Sequence, residues 1–225
     1  SVGIPFFMAS ATAPMLQKWF THTGHPAGKD PYFLYGPSNF GSLVALIGYP
    51  ILIEPYFGLT HQTRIWSLGY ILLMLLILGC SVMLWRSPLS ITKGINHSEN
   101  PSLISLNNRE LTVSRRIRWL LLSFCPSSLL LGVTNHITTD IVAIPLFWVI
   151  PLAIYLLTFV LVFSRKPLLS HHRMVWLQPF SVLPLIVLFW SFGTAWILFP
   201  LHLLAFFVIA MVCHGELARS RPSAT

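Results

Sequence analysis

Residues 174–215 read MVWLQPFSVLPLIVLFWSFGTAWILFPLHLLAFFVIAMVCHG, a stretch that contains no Asp, Glu, Lys or Arg. A helix needs about 20 apolar residues to cross the hydrocarbon core of a bilayer, so this stretch is long enough for two crossings. Ser191, Gly193 and Thr194 lie at its midpoint, where a tight hairpin can separate two helices. The stretch therefore predicts transmembrane helices at 174–192 and 195–213.

The rest of the chain repeats this pattern. Hydrophobic residues make up 55% of the chain, and its mean hydropathy is +0.72. Backbone groups in the bilayer core find no water, so a spanning segment of this length has to be a helix. We predict an all-α polytopic transmembrane bundle of about seven helices. The five further spans are residues 3–19, 37–57, 65–85, 118–136 and 141–163, with a hairpin at the polar stretch 135–140 between the last two.

The basic residues are distributed very unevenly between the predicted loops. Of 14 lysines and arginines, 13 lie in or directly beside the segments 18–30, 86–117, 164–173 and 214–225, which share one side of the predicted bundle. Only Arg64 lies on the other side. Cytoplasmic loops carry such an excess, so these four segments are predicted to be cytoplasmic. The net charge of +8 thus reflects membrane topology, and we expect no nucleic-acid partner.

The longest loop divides the predicted helices into two groups. Residues 1–85 hold three helices, 86–117 form a polar cytoplasmic linker, and 118–225 hold four helices and a cytoplasmic tail. A twelve-helix transporter of the major facilitator type joins two six-helix halves in this manner. The seven spans correspond to helices four to ten of that plan, so we expect the chain to be an interior part of a two-halved, facilitator-like protein.

Several segments resemble a known family in amino-acid sequence as well as in the arrangement of the predicted helices. Together they resemble the membrane region of bacterial fused major-facilitator and spermidine-synthase-like proteins. The segments are HPAGKDPYFLY at 25–35, SNFGS at 38–42, YP at 49–50, EP at 54–55, PSSLLLGVT at 126–134, TTDI at 138–141, WVIPLAIYL at 148–156 and HGELAR at 214–219.

This resemblance implies a location in the bacterial plasma membrane, with the lipid bilayer as a partner. It also implies a soluble synthase-like domain, or other membrane subunits, as possible partners. The chain contains no glycine-rich nucleotide fingerprint following a strand, so synthase chemistry is not assigned to these residues. It also lacks a recognisable nucleophile with a base or a metal-ligand cluster, and we predict no cofactor and no catalytic residue.

Ionisable residues within the spans are the first candidates for a functional site, because burying them in a bilayer is costly. Glu54 closes the second span, where it could bind a cation, pair with Arg64 or simply remain hydrated at the interface. Asp140 precedes the fifth span and could cap that helix. With His136 as a titrating neighbour, Asp140 could equally form a proton or substrate site at the outer mouth of a cavity.

Three further candidates are polar residues in otherwise apolar helices. His202 follows Pro200 and could satisfy the carbonyl group that a proline frees, or could take part in transport. Tyr35 and Asn39 could line a polar cavity, although small and polar residues at this spacing also serve helix packing. Cys80, Cys125 and Cys213 all fall in apolar runs and are interpreted as buried small hydrophobes.

Two functional hypotheses follow from these observations. The first is a facilitator-like region for transport or small-molecule binding, in which Tyr35, Asn39, Glu54, His136 and Asp140 contribute to a site. The second is a non-transporting anchor or scaffold for a synthase-like domain or a larger membrane complex. The first predicts a polar cavity inside the bundle, and the second predicts a filled interior.

Overall fold

The computed structural model describes residues 3–21, 28, 31–86, 112–141, 146–164, 169–189 and 195–220, and these residues contain seven α-helices and no strand. The all-α prediction is therefore confirmed. The helices are α1 (Gly3–Thr21), α2 (Tyr35–Gly48), α3 (Leu59–Arg86), α4 (Val113–His136), α5 (Val149–Phe163), α6 (His171–Phe189) and α7 (Ala195–Ser220). A 3₁₀ turn, Pro31–Leu34, precedes α2, and π-helical segments extend α2 over Tyr49–Ile53 and α4 over Ile137–Ile141.

Four helical stretches have the length and apolarity of a membrane span. They are Pro31–Ile53, Leu59–Arg86, Val113–Thr139 and Ile197–Ser220. The longest, α3, has 28 residues, which corresponds to about 42 Å of helix and exceeds the hydrocarbon thickness of about 30 Å. The spans predicted at α1, α5 and α6 stay predictions. Residues 87–111 of the predicted linker 86–117 lie outside the described part of the chain.

The fifth helix begins later than the sequence suggested. It starts at Val149 instead of Ile141 and has 15 residues, too few for a straight crossing. Leu146 adopts φ 75°, a turn conformation, and the carbonyl of Leu146 accepts a hydrogen bond from the amide of Val149 at 2.9 Å. Pro151 then falls in the first helical turn, where a missing amide hydrogen costs nothing.

The predicted hairpin at residues 135–140 is wrong, because the chain stays helical there. Two threonine hydroxyls donate to main-chain carbonyls one turn earlier: Thr138 to Thr134 at 2.9 Å and Thr139 to Asn135 at 2.6 Å. These bonds satisfy polar side chains without ending the helix. The polar residues of this segment therefore belong to a wider helical turn, Ile137–Ile141, and not to a reversal of the chain.

The described residues fall into two compact units, one of which is built around α7. This unit contains residues 33–47 and 111–222, and within it α7 packs against α4, α5 and α6. Buried side chains of α7 lie around its middle, at Ala205, Phe206, Val208, Ala210 and Met211. Alanines at two of these positions let the neighbouring helices approach closely.

The other unit contains α1 and α3, and its best-defined polar contact involves Gln62. The side-chain amide of Gln62 donates to the carbonyl of Phe57 at 2.7 Å, and its carbonyl oxygen accepts from the hydroxyl of Tyr49 at 3.0 Å. Gln62 is buried, whereas most of α3 presents apolar side chains at the surface. The two bonds hold the turn at residues 54–58 against the start of α3.

Replacing Gln62 should therefore destabilise this turn. We expect Gln62→Leu to lower the free energy of unfolding by about 1 kcal/mol, since two hydrogen bonds are lost but their partners remain partly exposed. Thermal unfolding in detergent, followed by tryptophan fluorescence, measures the effect. Thr63→Val is the matched control, because the Thr63 hydroxyl bonds only within its own helix, to Leu59. Equal losses for the two variants would contradict the assignment.

Candidate functional site

A cavity of about 730 Å³ lies between α4, α6 and α7. Most of its wall is apolar, and its polar groups come from two histidines, one cysteine and one serine. The lining residues are Phe124, Cys125, Ser128, Leu129, Gly132, Val133, His136, Leu185, Leu188, Leu198 and His202. We call this cavity the histidine pocket. An apolar cavity with a few convergent polar groups is the usual form of a small-molecule site.

His136 and His202 face each other in the histidine pocket. Their ring centroids are 4.8 Å apart and their planes are tilted by 48°. His136 ends α4, and His202 lies about two turns into α7. Two helices of membrane-spanning length therefore position the pair. The sequence marked both residues as candidates but gave no sign that they meet.

The tautomer of His202 follows from its hydrogen bond. Its Nδ1 lies 2.7 Å from the carbonyl oxygen of Leu198, so Nδ1 carries the proton and donates. In the neutral ring Nε2 is then an acceptor. The bond also corrects one expectation: the carbonyl that Pro200 frees belongs to Trp196, whereas the histidine bonds to the carbonyl four residues before itself.

Tyr35 and Asn39 lie elsewhere in the same unit and do not line the histidine pocket. The ring of Tyr35 packs against Phe163 at 5.6 Å, and Gly36 lets the start of α2 approach the end of α5. The side-chain amide of Asn39 donates to the carbonyl of Tyr35 at 2.8 Å, within its own helix. For both residues these contacts agree with a role in helix packing, which was the alternative to lining a polar cavity.

Glu54 belongs to the other unit, where it ends the π-helical segment after α2. Its amide donates to the carbonyl of Tyr49 at 2.9 Å, and its side chain is exposed. Glu54 and Arg64 form no ion pair in the described part of the chain. The hydrated carboxylate is the interpretation that agrees with this placement.

Asp140 does not cap the fifth helix. Its backbone lies inside the π-helical turn that extends α4, and α5 begins nine residues later with Trp148 as its N-cap residue. The reason is the helical continuation of residues 135–141, which moves the start of α5 away from the acid. The side chain of Asp140 lies outside the described part of the structure.

The cysteines differ in exposure. Cys213 is buried as expected, whereas Cys80 and Cys125 are exposed, so the expectation is wrong for those two. Cys125 lines the histidine pocket, which gives the pocket a thiol that reagents can reach.

A second polar cluster, which the sequence did not predict as a site, joins three helices at the far end of α7. The carboxylate of Glu216 accepts a hydrogen bond from Arg118 of α4, and its second oxygen lies 3.4 Å from Nε2 of His171 of α6. We call Arg118, His171 and Glu216 the Glu216 cluster. Arg115 strengthens the same end of the bundle by donating to the carbonyl of Ser220 at 3.0 Å.

The approach of His171 to α7 depends on Gly215. A Cβ atom at this position would lie 2.5 Å from Nδ1 of His171, which is closer than any real contact. A side chain at 215 would thus push the imidazole away from Glu216. The signal in the sequence was the segment HGELAR, which ends an uncharged run with one of only six acidic residues.

Two effects oppose each other at His171. Burial and the nearby Arg219 lower its pKa, while the carboxylate of Glu216 raises it, and the net result is a lowered pKa. The contact with Glu216 is consequently one between a carboxylate and a neutral imidazole at neutral pH. In the described residues, no group of three or more His, Cys, Asp or Glu side chains could hold a metal ion.

No protein-family model, curated protein or solved structure matches the chain.

The lowered pKa of His171 predicts a loss of stability in acid. The unfolded chain binds a proton at this residue more readily than the folded protein does, so the stabilising effect is present above the ordinary pKa of histidine and is lost as the pH falls below it. We expect His171→Gln to reduce the fall in thermal stability between about pH 8 and pH 5. His172→Gln, at the exposed neighbouring position, should change the pH dependence much less, because His172 has the smallest of the effects that act on the pKa of His171. Identical pH profiles for the wild type and His171→Gln would refute the assignment.

Proposed function

We propose that the chain is part of a multi-pass membrane protein of the facilitator-like transport type, and that the histidine pocket binds its small-molecule substrate. The observation that carries the proposal is the His136–His202 pair inside an apolar cavity between helices of membrane-spanning length. Two histidines at such a position are expensive unless they serve a ligand or a proton.

The pocket chemistry suits a ligand that is mainly apolar with one or two polar groups. Its wall supplies leucines and a phenylalanine, and Nε2 of His202 offers an acceptor. The pocket is open on one side, and its volume of about 730 Å³ is large enough to take an ordinary metabolite.

The remaining parts of the proposal rest on the sequence. The distribution of basic residues supports a cytoplasmic location for residues 164–173 and 214–225. The likeness to fused facilitator and synthase-like proteins supports a two-halved bundle in a bacterial plasma membrane and a soluble synthase-like partner.

Filling the histidine pocket tests its role directly. Gly132 lines the pocket, and a Cβ atom built on it meets nothing within 4 Å, so Gly132→Phe should direct a bulky side chain into the space at this wall. The measurement is a thermal-shift screen of purified protein in detergent against amines, amino acids, carboxylates, sugars and nucleosides. A ligand at 100 times its Kd should stabilise the wild type by about 2.7 kcal/mol and should not stabilise Gly132→Phe.

Gly69→Phe is the matched control, because Gly69 lies in the middle of α3 and likewise has open space around its Cβ position. It should keep every ligand response of the wild type. His136→Asn and His202→Asn should weaken the response to any compound that needs the imidazoles. If no compound stabilises the wild type, or if Gly132→Phe responds as the wild type does, the pocket is not the site and the anchor or scaffold hypothesis takes precedence.

The proposed orientation gives a separate prediction. In a variant with serine at positions 80, 125 and 213, a single cysteine is introduced at Thr60 or at Ser170, both next to a helix end. We expect a membrane-impermeant maleimide to label Thr60→Cys in intact cells and Ser170→Cys only after the membrane is permeabilised, because the basic loop beside Ser170 stays inside. The reverse labelling pattern would show that the proposed orientation is wrong.

A further inference from the structure

We propose that the substrate of the histidine pocket is a single-chain amphiphile with a neutral hydroxyl head group, which enters from the bilayer. The head group lies at His136 and His202, and the alkyl chain extends along α4. This inference rests on the proposed function, because it names the substrate class of the same pocket. It follows from the shape of the pocket, its position along the helices and the atoms at its polar end.

The histidine pocket is elongated along α4. Its lining residues on this helix begin at Phe124 and recur in steps of four as far as His136, so they share one face of the helix. Twelve residues of α-helix rise about 18 Å. A volume of about 730 Å³ spread over this length leaves a long and narrow space. Such a shape suits an extended chain better than a compact solute.

The polarity of the pocket changes from one end to the other. His136 is the last residue of α4 and faces His202, with ring centroids 4.8 Å apart, so both imidazoles lie at one end. Along the rest of α4 the wall is apolar except for the hydroxyl of Ser128 and the thiol of Cys125. A ligand that fits this wall therefore carries its polar atoms at one end.

The apolar end of the pocket lies at membrane depth. The membrane-length stretch that contains α4 is Val113–Thr139, and its last arginine is Arg118. Phe124 lies six residues further along, or about 9 Å deeper, whereas His136 lies three residues before the end of the stretch. The histidines thus approach one interface, and the pocket extends from them into the hydrocarbon core. A single-chain amphiphile takes the same orientation in a bilayer.

The α4 side of the pocket is open at this depth. The exposed fraction of Phe124 is 62%, and Cys125 and Gly132 are also exposed. An opening within the hydrocarbon core meets acyl chains and no water. A polar solute would lose its hydration on this route, whereas an alkyl chain exchanges one apolar environment for another. The substrate that can use the opening is therefore one that is already dissolved in the membrane.

The histidine end selects the head group. Because Nδ1 of His202 donates to the carbonyl of Leu198 at 2.7 Å, Nε2 of the neutral ring is an acceptor. A hydroxyl group can donate to it, and an ionised carboxylate cannot. The residues that line the pocket include no Asp, Glu, Lys or Arg that would balance a charged head group. A neutral hydroxyl is thus the head group that the pocket fits.

Photocrosslinking of the full chain in nanodiscs tests the proposal. Benzoylphenylalanine, a photoreactive residue, replaces Phe124 at the apolar end of the pocket. The matched control has the same replacement at Leu131, which lies on α4, is 73% exposed and does not line the pocket. The probe is hexadecanol with a terminal alkyne at the end of its chain, and unlabelled hexadecanol and hexadecane are the competitors.

We expect saturable labelling at position 124, which unlabelled hexadecanol reduces, and unsaturable labelling at position 131, which reports contact with bulk lipid. Hexadecane should compete about fivefold less well than hexadecanol, because it lacks the hydrogen bond to His202. His202→Phe keeps a ring but removes the acceptor, so it should abolish this difference. His61→Phe, at an exposed histidine of the other unit, should preserve it.

Three outcomes would overturn the proposal. They are labelling at position 124 that hexadecanol does not reduce, equal competition by hexadecanol and hexadecane, and saturable labelling that persists in Gly132→Phe. The ligand screen separates this failure from that of the proposed function. If a water-soluble compound stabilises the wild type but not Gly132→Phe while labelling at position 124 is unsaturable, the pocket remains the site and only the amphiphile is wrong.

Discussion

Polar groups on α7 need partners within the protein, because the hydrocarbon core of a bilayer offers none. One polar side chain of α7 finds its partner within the same helix, and another finds its partner on a neighbouring helix. His202 bonds to the carbonyl one turn earlier in its own helix, whereas His214 bonds to Thr158 of α5. The second solution fixes how α5 packs on α7, and the first leaves the imidazole of His202 directed into a cavity.

The same demand explains the many hydroxyl groups on the other helices. Ser123 and Ser127 of α4 donate to carbonyls four residues earlier, and so do Thr63 and Ser67 of α3. Such bonds cost little and let a polar residue remain in an apolar helix. At residues 135–141 such bonds keep the segment helical, although its polar composition suggested a turn.

The sequence predicted the helical class and the separation of α6 from α7, since both depend on local apolarity and length. It could not predict the pairing of His136 with His202, because the two residues lie on different helices. The sequence around each histidine contains no signal that identifies its partner. Tyr35 and Asn39 were candidates by residue type, yet their partners are a phenylalanine and a backbone carbonyl. Whether a polar residue packs or lines a cavity depends on helix rotation, which periodicity did not resolve here.

The Glu216 cluster shows why an uncharged run ends where it does. Arg118, His171 and Glu216 come from three helices, and each would be costly if it lay deeper in a bilayer without the others. Their meeting point requires a residue without a side chain at 215, because the imidazole of His171 occupies that space. Gly215 and Glu216 are thus a single structural unit: the glycine admits the histidine, and the acid then connects α6 and α4 to the end of α7.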